Sequence, residues 1–332
     1  MPDTALTVAV CIVTFDSGPD LPACLRAVVA QSLAPSEIVV VDCASTDNSV
    51  AIARTVLRDQ GRIIALEENL GFAGGANRAI RESTASHLLL LNPDASPRPD
   101  YLKKLMQRVA LSSDWKVGSV TGRLRREADS EGNDRLDACG MRLRPTWRHL
   151  DRGSGVIDRG QFAVAERVFG ATGAASLFSR AALEDVAFDD GVFAPEFHSF
   201  REDAELCFRL QERGWVVIYE PTALCIHRRS VTPRGRRDVD PEINYHSLKN
   251  RYLLRAYHQD LANLLVTLVP TLFRDVLALL WVAAMERTSL AAYRWLWQQR
   301  LLIRTRRRWI MRRRTCSSRS ITQWFFRSSL PL

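Results

Sequence analysis

The run LLLLNPDA, residues 88–95, sets one carboxylate, Asp94, directly beyond four leucines that read as a buried strand. A carboxylate fixed there can hold Mg2+ or Mn2+, hard cations that take oxygen ligands and bridge a protein acid to a diphosphate. Asn, Pro and Asp are also the residues of a plain turn. Asp42 closes EIVVVD in the same way, and it suits a ribose hydroxyl, a base N–H or the cap of a helix beginning near Asp47. In the second half, FREDAELCFRL gathers Arg201, Glu202, Asp203 and Glu205 at an expected helix start. Adjacent carboxylates repel, which raises the pKa of one of them and suits a general base that takes a proton from a hydroxyl. The same acids would also favour a helix dipole. His227, flanked by Arg228 and Arg229, is either a metal or phosphate neighbour or a solvated surface histidine.

These groups need a scaffold that brings them together, and the chain alternates strand-like apolar runs with helical stretches from residue 7 onward. That pattern predicts a mainly parallel sheet covered by helices. Strands are expected over residues 7–13, 37–41, 62–66 and 87–91, and helices near 20–31, 47–59 and 71–82. Ligands of such sheets bind at the carboxyl ends of the strands. Those ends read TFDSG, DCASTDNS, ENLGFAGGAN and NPDA, all polar. Residues 112–165, rich in Arg, Asp and Gly, read as a variable insertion or long loops. A short strand at Val168, a helix from Ser179, a helix over 202–213, the strand WVVIYE and an amphipathic helix over 242–258 follow.

The 332 residues carry 46 Lys and Arg against 37 Asp and Glu, a formal charge of +9. No acid follows Glu286, whereas twelve arginines lie between Arg287 and Arg327, so the preceding body has a net charge of −3. Bulk charge therefore gives no argument for a nucleic-acid-binding body, and no nucleic-acid motif accompanies the tail. Seven scattered cysteines without a CxxC pair form neither a disulfide framework nor a zinc signature. They read as reduced thiols of a cytoplasmic protein, and MPDTAL lacks the features of a secretory signal. In residues 261–285 the apolar runs are interrupted by Arg274 and Asp275, and Pro270 is expected to break the helix. Trp281, Trp295, Trp297, Trp309 and Trp324 interleave with arginines, which fits helices lying in an anionic membrane interface. The alternative is a helical pair packed on the catalytic body or on a second subunit of an oligomer.

The ordered motifs IVTFDS, VVVDCASTDNS, NLGFAGGANRAI, LLLLNPDA, GAASLFSRAAL, REDAELCFRLQERGW and IH run from about Val8 to about Tyr257. In this order the chain resembles glycosyltransferase family 2, particularly its bacterial rhamnosyltransferase-like branch. The resemblance implies the GT-A fold, an α/β Rossmann-like domain over residues 1–258, followed by a helical basic extension over 259–332. It implies an inverting, Mg2+- or Mn2+-dependent transferase that uses a nucleotide-sugar donor, dTDP-rhamnose in that branch, and a glycan or lipid-linked acceptor. Thr14 and Phe15 would line the base pocket, Asp42 would hold base or ribose, and Asn69, Gly71 and Gly75 would form a loop against the nucleotide and sugar. Asp94 would match the last acid of the DxD metal motif, with Asn92 in place of the first. Asp203 would be the base, with Glu202 beside it, and His227 would contact metal or diphosphate. Phe15, Asp16, Cys43 and Arg201 depart from the family's usual residues. The expected location is peripheral, at the inner face of the cytoplasmic membrane. Transfer of another hexose from a UDP- or GDP-sugar, and a non-catalytic nucleotide-sugar-binding subunit, are the competing readings.

Overall fold

The computed structural model describes residues 6–127, 134–229 and 240–332. Four parallel strands form its first half: β1 (Val8–Thr14), β2 (Glu37–Asp42), β3 (Arg62–Ala65) and β4 (His87–Leu91), in the order β4–β1–β2–β3. The alternation of a strand explains why β1 is apolar throughout. Val8, Val10 and Ile12 pack under α1 (Leu21–Val29) and α2 (Ser49–Leu57), while Ala9 and Cys11 meet Ala73, Ala76 and Ala79 of α3 (Gly71–Arg81). All four strands and all three helices fall within a few residues of the positions expected from sequence.

After a short β5 (Ala95–Pro97) and α4 (Tyr101–Leu111), the chain enters β6 (Val117–Arg125), which lies deep within the sheet. This departs from the loops expected over residues 112–165. Close neighbours remove the apolar signal from β6. A Cβ on Gly122 would stand 2.5 Å from the Ala223 carbonyl oxygen and from the Tyr101 ring, and one on Gly118 would stand 2.9 Å from Trp215. Short strands β7 (Leu136–Ala138), β8 (Met141–Leu143), β9 (His149–Asp151) and β10 (Glu166–Val168) follow, then β11 (Ala175–Ser179), α5 (Arg180–Val186), α6 (Glu202–Glu212), β12 (Val216–His227) and α7 (Pro241–His258). The sheet continues from β4 as β11–β6–β12–β10, with β11 antiparallel to both its neighbours and β12 parallel to β6.

The last segment holds α8 (Leu261–Met285), α9 (Ala291–Gln298), α10 (Arg300–Arg313), α11 (Ser318–Thr322) and β13 (Leu330–Pro331). Contrary to the expected break, α8 runs through Pro270. A capping box between Asp260 and Asn263 starts it, and side chains along one face tie it to the domain on both sides of the proline. These contacts offset the missing amide. The rest of the segment packs inward. Ile303, Ile310, Ile321, Trp324 and Phe325 share an apolar cluster with Phe208, Leu253 and Leu254, and β13 adds to the sheet edge beside β10. Arg306 is buried and pairs with Asp190 and Glu196. Of the tryptophans expected to face outward together, Trp324 is buried, Trp309 packs at a tilt against Phe188 and Trp297 stays exposed. All seven cysteines are free thiols.

Candidate active site

A cavity of about 800 Å³ opens at the carboxyl ends of β1 and β4. Nine of the eleven residues singled out in the sequence line it: Thr14, Phe15, Asn69, Gly71, Asn92, Asp94, Glu202, Asp203 and His227. Asp42 and Gly75 stand behind the wall.

One wall is built on strands. Antiparallel pairing of β5 with β12 sets His227 opposite Ala95, which places its imidazole beside Asp94. His227 Nε2 lies 3.2 Å from Asp94 Oδ1, and Nδ1 lies 2.7 Å from Asp137 Oδ2. The histidine is 6% exposed, so it is not the solvated surface residue that its arginine neighbours suggested. Burial opposes a charged ring, but the hydrogen bonds to Asp137 and Asp94 outweigh it and push the pKa up to about 9. Asp137 is itself buried. That burial alone would raise its pKa, yet His227, Arg229 and Arg126 hold it below the usual carboxylate value. An imidazole nitrogen and a carboxylate oxygen thus face one another, and a second carboxylate on the far ring nitrogen orients the histidine. This is the arrangement that metal-binding histidines use.

The donor side is held by a tight mesh at the ends of β1 and β2. Asp42 is buried and accepts hydrogen bonds from Thr14 Oγ1 (2.7 Å), Ser45 Oγ (2.5 Å) and the Ser45 amide (2.9 Å). Its oxygens are engaged in shaping the turn after β2 rather than in capping α2, at whose start Asp47 accepts the Ser49 amide. Asn69 Oδ1 accepts the Gly71 amide at 2.9 Å. Gly71 has φ +67°, and a Cβ there would come within 2.6 Å of the His198 carbonyl oxygen, so glycine is required by both dihedral and space. Gly75 lies inside α3 and lets the helix close onto the sheet: a Cβ would meet Val13 Cγ1 at 2.5 Å and Cys43 Sγ at 3.0 Å.

The opposite wall is a loop followed by α6. His198, Phe200 and Arg201 all have positive φ, and the loop docks on α3 through hydrogen bonds from the Ala73 amide to the His198 carbonyl and from the Phe72 amide to Ser199 Oγ. Asp203 accepts the Gly173 amide at 3.1 Å and the Ala204 amide at 2.7 Å. Burial is the main force on its carboxyl and pushes the pKa up to about 6, with Asp151 adding to the rise. Glu202 is raised well above the usual value, first by burial and then by Asp203, and its Oε2 has no hydrogen-bond partner among the described residues. Glu205 is different. It is fully buried and bound by Arg209 at 2.6 and 2.7 Å, with His258 at 3.5 Å, so it is held ionised at the helix–helix contact.

Two contributors escaped the sequence reading. Asp137 lies 90 positions before His227, in the segment taken for loops, and nothing local marks it. Asn250 of α7 is buried, and its Nδ2 approaches the carbonyls of Phe197, Ser199 and Phe200 at 2.7–2.8 Å, pinning the strained loop. Polar residues recur along α7, so nothing in the sequence set Asn250 apart.

The family model described as "Glycosyl transferase family 2" matches residues 9–187. An uncharacterized protein of Mycobacterium tuberculosis is 26% identical over 231 residues, 69% of each chain. A poly-beta-1,6-N-acetyl-D-glucosamine synthase of Staphylococcus aureus is 23% identical over 261 residues, 78% of this chain and 58% of the synthase, so the chain spans little more than half of that relative. Among solved structures, S. aureus TarS 1–349 with UDP superposes with a TM-score of 0.51 at 17% identity, covering 80% of this chain and 71% of that one. The Pyrobaculum calidifontis mannosyltransferase PcManGT with GDP-Man and Mn2+ gives 0.53 at 18% identity, covering 98% and 85%. These likenesses identify the fold as that of GT-A glycosyltransferases.

Proposed function

The chain belongs to glycosyltransferase family 2, and from that premise we propose that it is an inverting glycosyltransferase that extends a cell-surface glycan from a nucleotide-sugar donor. The carrying observation is that one cavity holds both a carboxylate–histidine pair, Asp94 and His227 backed by Asp137, and a carboxylate raised by burial, Asp203. The first wall fits a divalent cation by its donor set. A mixed nitrogen and oxygen pair favours Mn2+ over the oxygen-seeking Mg2+, and PcManGT carries Mn2+ with its donor. Asp94 and His227 would hold the ion, and the ion when bound supplies Lewis-acid stabilisation of charge on the departing nucleoside diphosphate.

The protein's own steps follow from the second wall. The Gly173 amide fixes one oxygen of Asp203, and the carboxylate takes the proton of the acceptor hydroxyl. The hydroxyl oxygen bonds to the anomeric carbon from the face opposite the diphosphate as the carbon–diphosphate bond breaks, which inverts the centre. Thr14, Phe15, Asn69 and Asn92 line the donor side, and Asp42 acts through the turn it holds rather than from the cavity wall. The enzyme works at the inner face of the cytoplasmic membrane, held there peripherally by residues 259–332.

The donor proposed from the branch resemblance is dTDP-rhamnose. A second reading, a hexose or N-acetylhexosamine from a UDP- or GDP-sugar, draws support from the S. aureus synthase and from the UDP and GDP-Man of the superposed structures. Thermal shift with Mn2+ and a panel of nucleotide sugars separates them, because a bound donor stabilises the native state by mass action. The largest shift with dTDP-rhamnose supports the first reading. A larger shift with UDP-N-acetylglucosamine or GDP-mannose replaces it with the second.

A further inference from the structure

Helices on the surface of a water-soluble domain turn their apolar stripe inward and their polar side chains to solvent. Helix α8 does the reverse. Asn263, Thr267, Thr271 and Asp275 recur every fourth residue, which sets them on one face. That face is bonded to the domain. Trp147 Nε1 donates to Thr267 Oγ1 at 3.1 Å, Thr271 Oγ1 donates to the Pro145 carbonyl at 3.0 Å, and Asp275 pairs with Arg251 and Arg255 of α7. The other face presents Leu265, Val269, Leu272, Phe273 and Leu280, each at least 60% exposed. The helix has 25 residues, a length of about 37 Å at 1.5 Å per residue. An apolar face of that length, held outward by polar bonds on its reverse, is built to be covered.

We infer that the outward face of α8 lies in the interfacial layer of an anionic lipid bilayer, with the helix axis in the membrane plane. The inference rests on the membrane-peripheral reading above, and adds which surface enters the lipid and in what orientation. Charge selects the occupant. Exposed Arg287, Arg294, Arg300, Arg304 and Arg308 follow the helix, and no acid occurs after Glu286. Anionic headgroups neutralise such a segment, whereas a second copy would bring two like-charged segments together. The helix is long and apolar enough to cross a bilayer by length and composition alone. Crossing would drag Arg274 and Asp275 to the hydrocarbon centre and strip Asp275 from its two arginine partners. Ser247, which lines the active-site cavity, lies one helical turn before Arg251, so α7 carries both a cavity-lining residue and the ion pair that holds α8. This geometry suits an acceptor presented from the membrane.

Flotation with vesicles of phosphatidylcholine, alone and mixed with phosphatidylglycerol, tests the inference on the full chain. The variants are the triple Leu265→Gln, Leu272→Gln, Phe273→Gln and the triple Arg300→Gln, Arg304→Gln, Arg308→Gln. The wild type is expected to float with the anionic vesicles, and the apolar triple to lose roughly tenfold or more of its partitioning. The melting temperature of that triple should stay near wild type, because the altered side chains contact solvent. If the wild type floats with neither vesicle, the membrane-peripheral reading and this inference fall together. If the wild type floats and the apolar triple floats equally, while the arginine triple does not, the membrane reading survives and the role of α8 is overturned. A lipid-free dimer that the apolar triple dissolves would assign the face to a second copy instead. Resistance of membrane-bound wild type to alkaline carbonate would overturn the in-plane orientation.

Discussion

The two walls of the cavity carry the same functional groups in opposite electrostatic states. On the strand wall, Asp137 is sandwiched between His227, Arg229 and Arg126 and stays below the usual carboxylate pKa despite its burial. On the loop wall, Glu202 is buried and the adjacent Asp203 half-buried, neither has an ion-pair partner among the described residues, and both are raised. The adjacency of Glu202 and Asp203 gave the raised side of this difference, but nothing in the sequence gave the other, since Asp137 meets its cations only in the fold. What separates them is the partner that the fold delivers: cations on one side, a like charge on the other. The strand wall therefore holds charge, and the loop wall is built to exchange a proton.

Substituting the proton-exchanging carboxylate should have the largest effect. Asp203→Asn keeps size and the acceptor oxygen for Gly173 but cannot take a proton, so turnover should fall by about 10²- to 10⁴-fold, with donor-induced thermal stabilisation retained. Near-normal turnover would remove the base from this wall. On the charge-holding wall, Asp137→Asn should weaken Mn2+ affinity by about 10- to 100-fold, because the second carboxylate no longer fixes the His227 ring. Titration of metal-dependent donor binding measures it, and unchanged affinity would separate Asp137 from the ion. A milder probe is pH. A raised Asp203 carries its proton below about 6, so the active, ionised form is lost as pH falls through that value. The turnover rate should drop roughly tenfold per unit on the acid limb. A limb centred near 4 would mean that the wall does not raise this carboxylate.

Much of the first wall's scaffold was legible because β1 to β4 are apolar runs ended by polar turns, and Asp94 sits where one such run stops. The partner of His227 was not legible. Asp137 reaches it through strands whose glycines and hydroxyl residues hide their burial, since β6 needs small side chains beside Tyr101 and Trp215. The second wall was legible as a cluster of acids, and the resemblance pointed to Asp203, but nothing in the residues themselves separated it from Glu205. Only three-dimensional contacts give Glu205 to Arg209 and His258 and leave Asp203 facing the cavity. The family's glycine motif was legible as a motif, yet its two glycines serve different ends: Gly71 a left-handed turn under His198, Gly75 the contact of α3 with Val13. In the tail, hydrophobicity located α8, but which face it would turn outward depended on Trp147, Pro145, Arg251 and Arg255, all distant in sequence.

The smallest expected effect tests how the loop wall keeps its shape. Three residues with positive φ, His198, Phe200 and Arg201, precede Glu202 and Asp203. Such conformations cost about 1–3 kcal/mol each and persist only when neighbours impose them. The two N–H groups of the Asn250 amide supply that constraint, shared among three loop carbonyls. Replacing it with alanine removes bonds worth about 0.5–1.5 kcal/mol each in net terms and leaves buried carbonyls without their donor. Asn250→Ala should then lower stability by about 1–3 kcal/mol. It should also lower turnover several-fold, with Mn2+ affinity unchanged, because the Asn250 amide bonds only the loop carbonyls of Phe197, Ser199 and Phe200, whereas Asp94 sits in the turn before β5, and Asp137 and His227 on β7 and β12. Hydrogen exchange of the loop amides, read beside the kinetics, checks the cause. Faster exchange over residues 198–201 with slower transfer would tie Asp203's placement to this pin. Faster exchange with unaltered transfer would show that α6 alone positions the base.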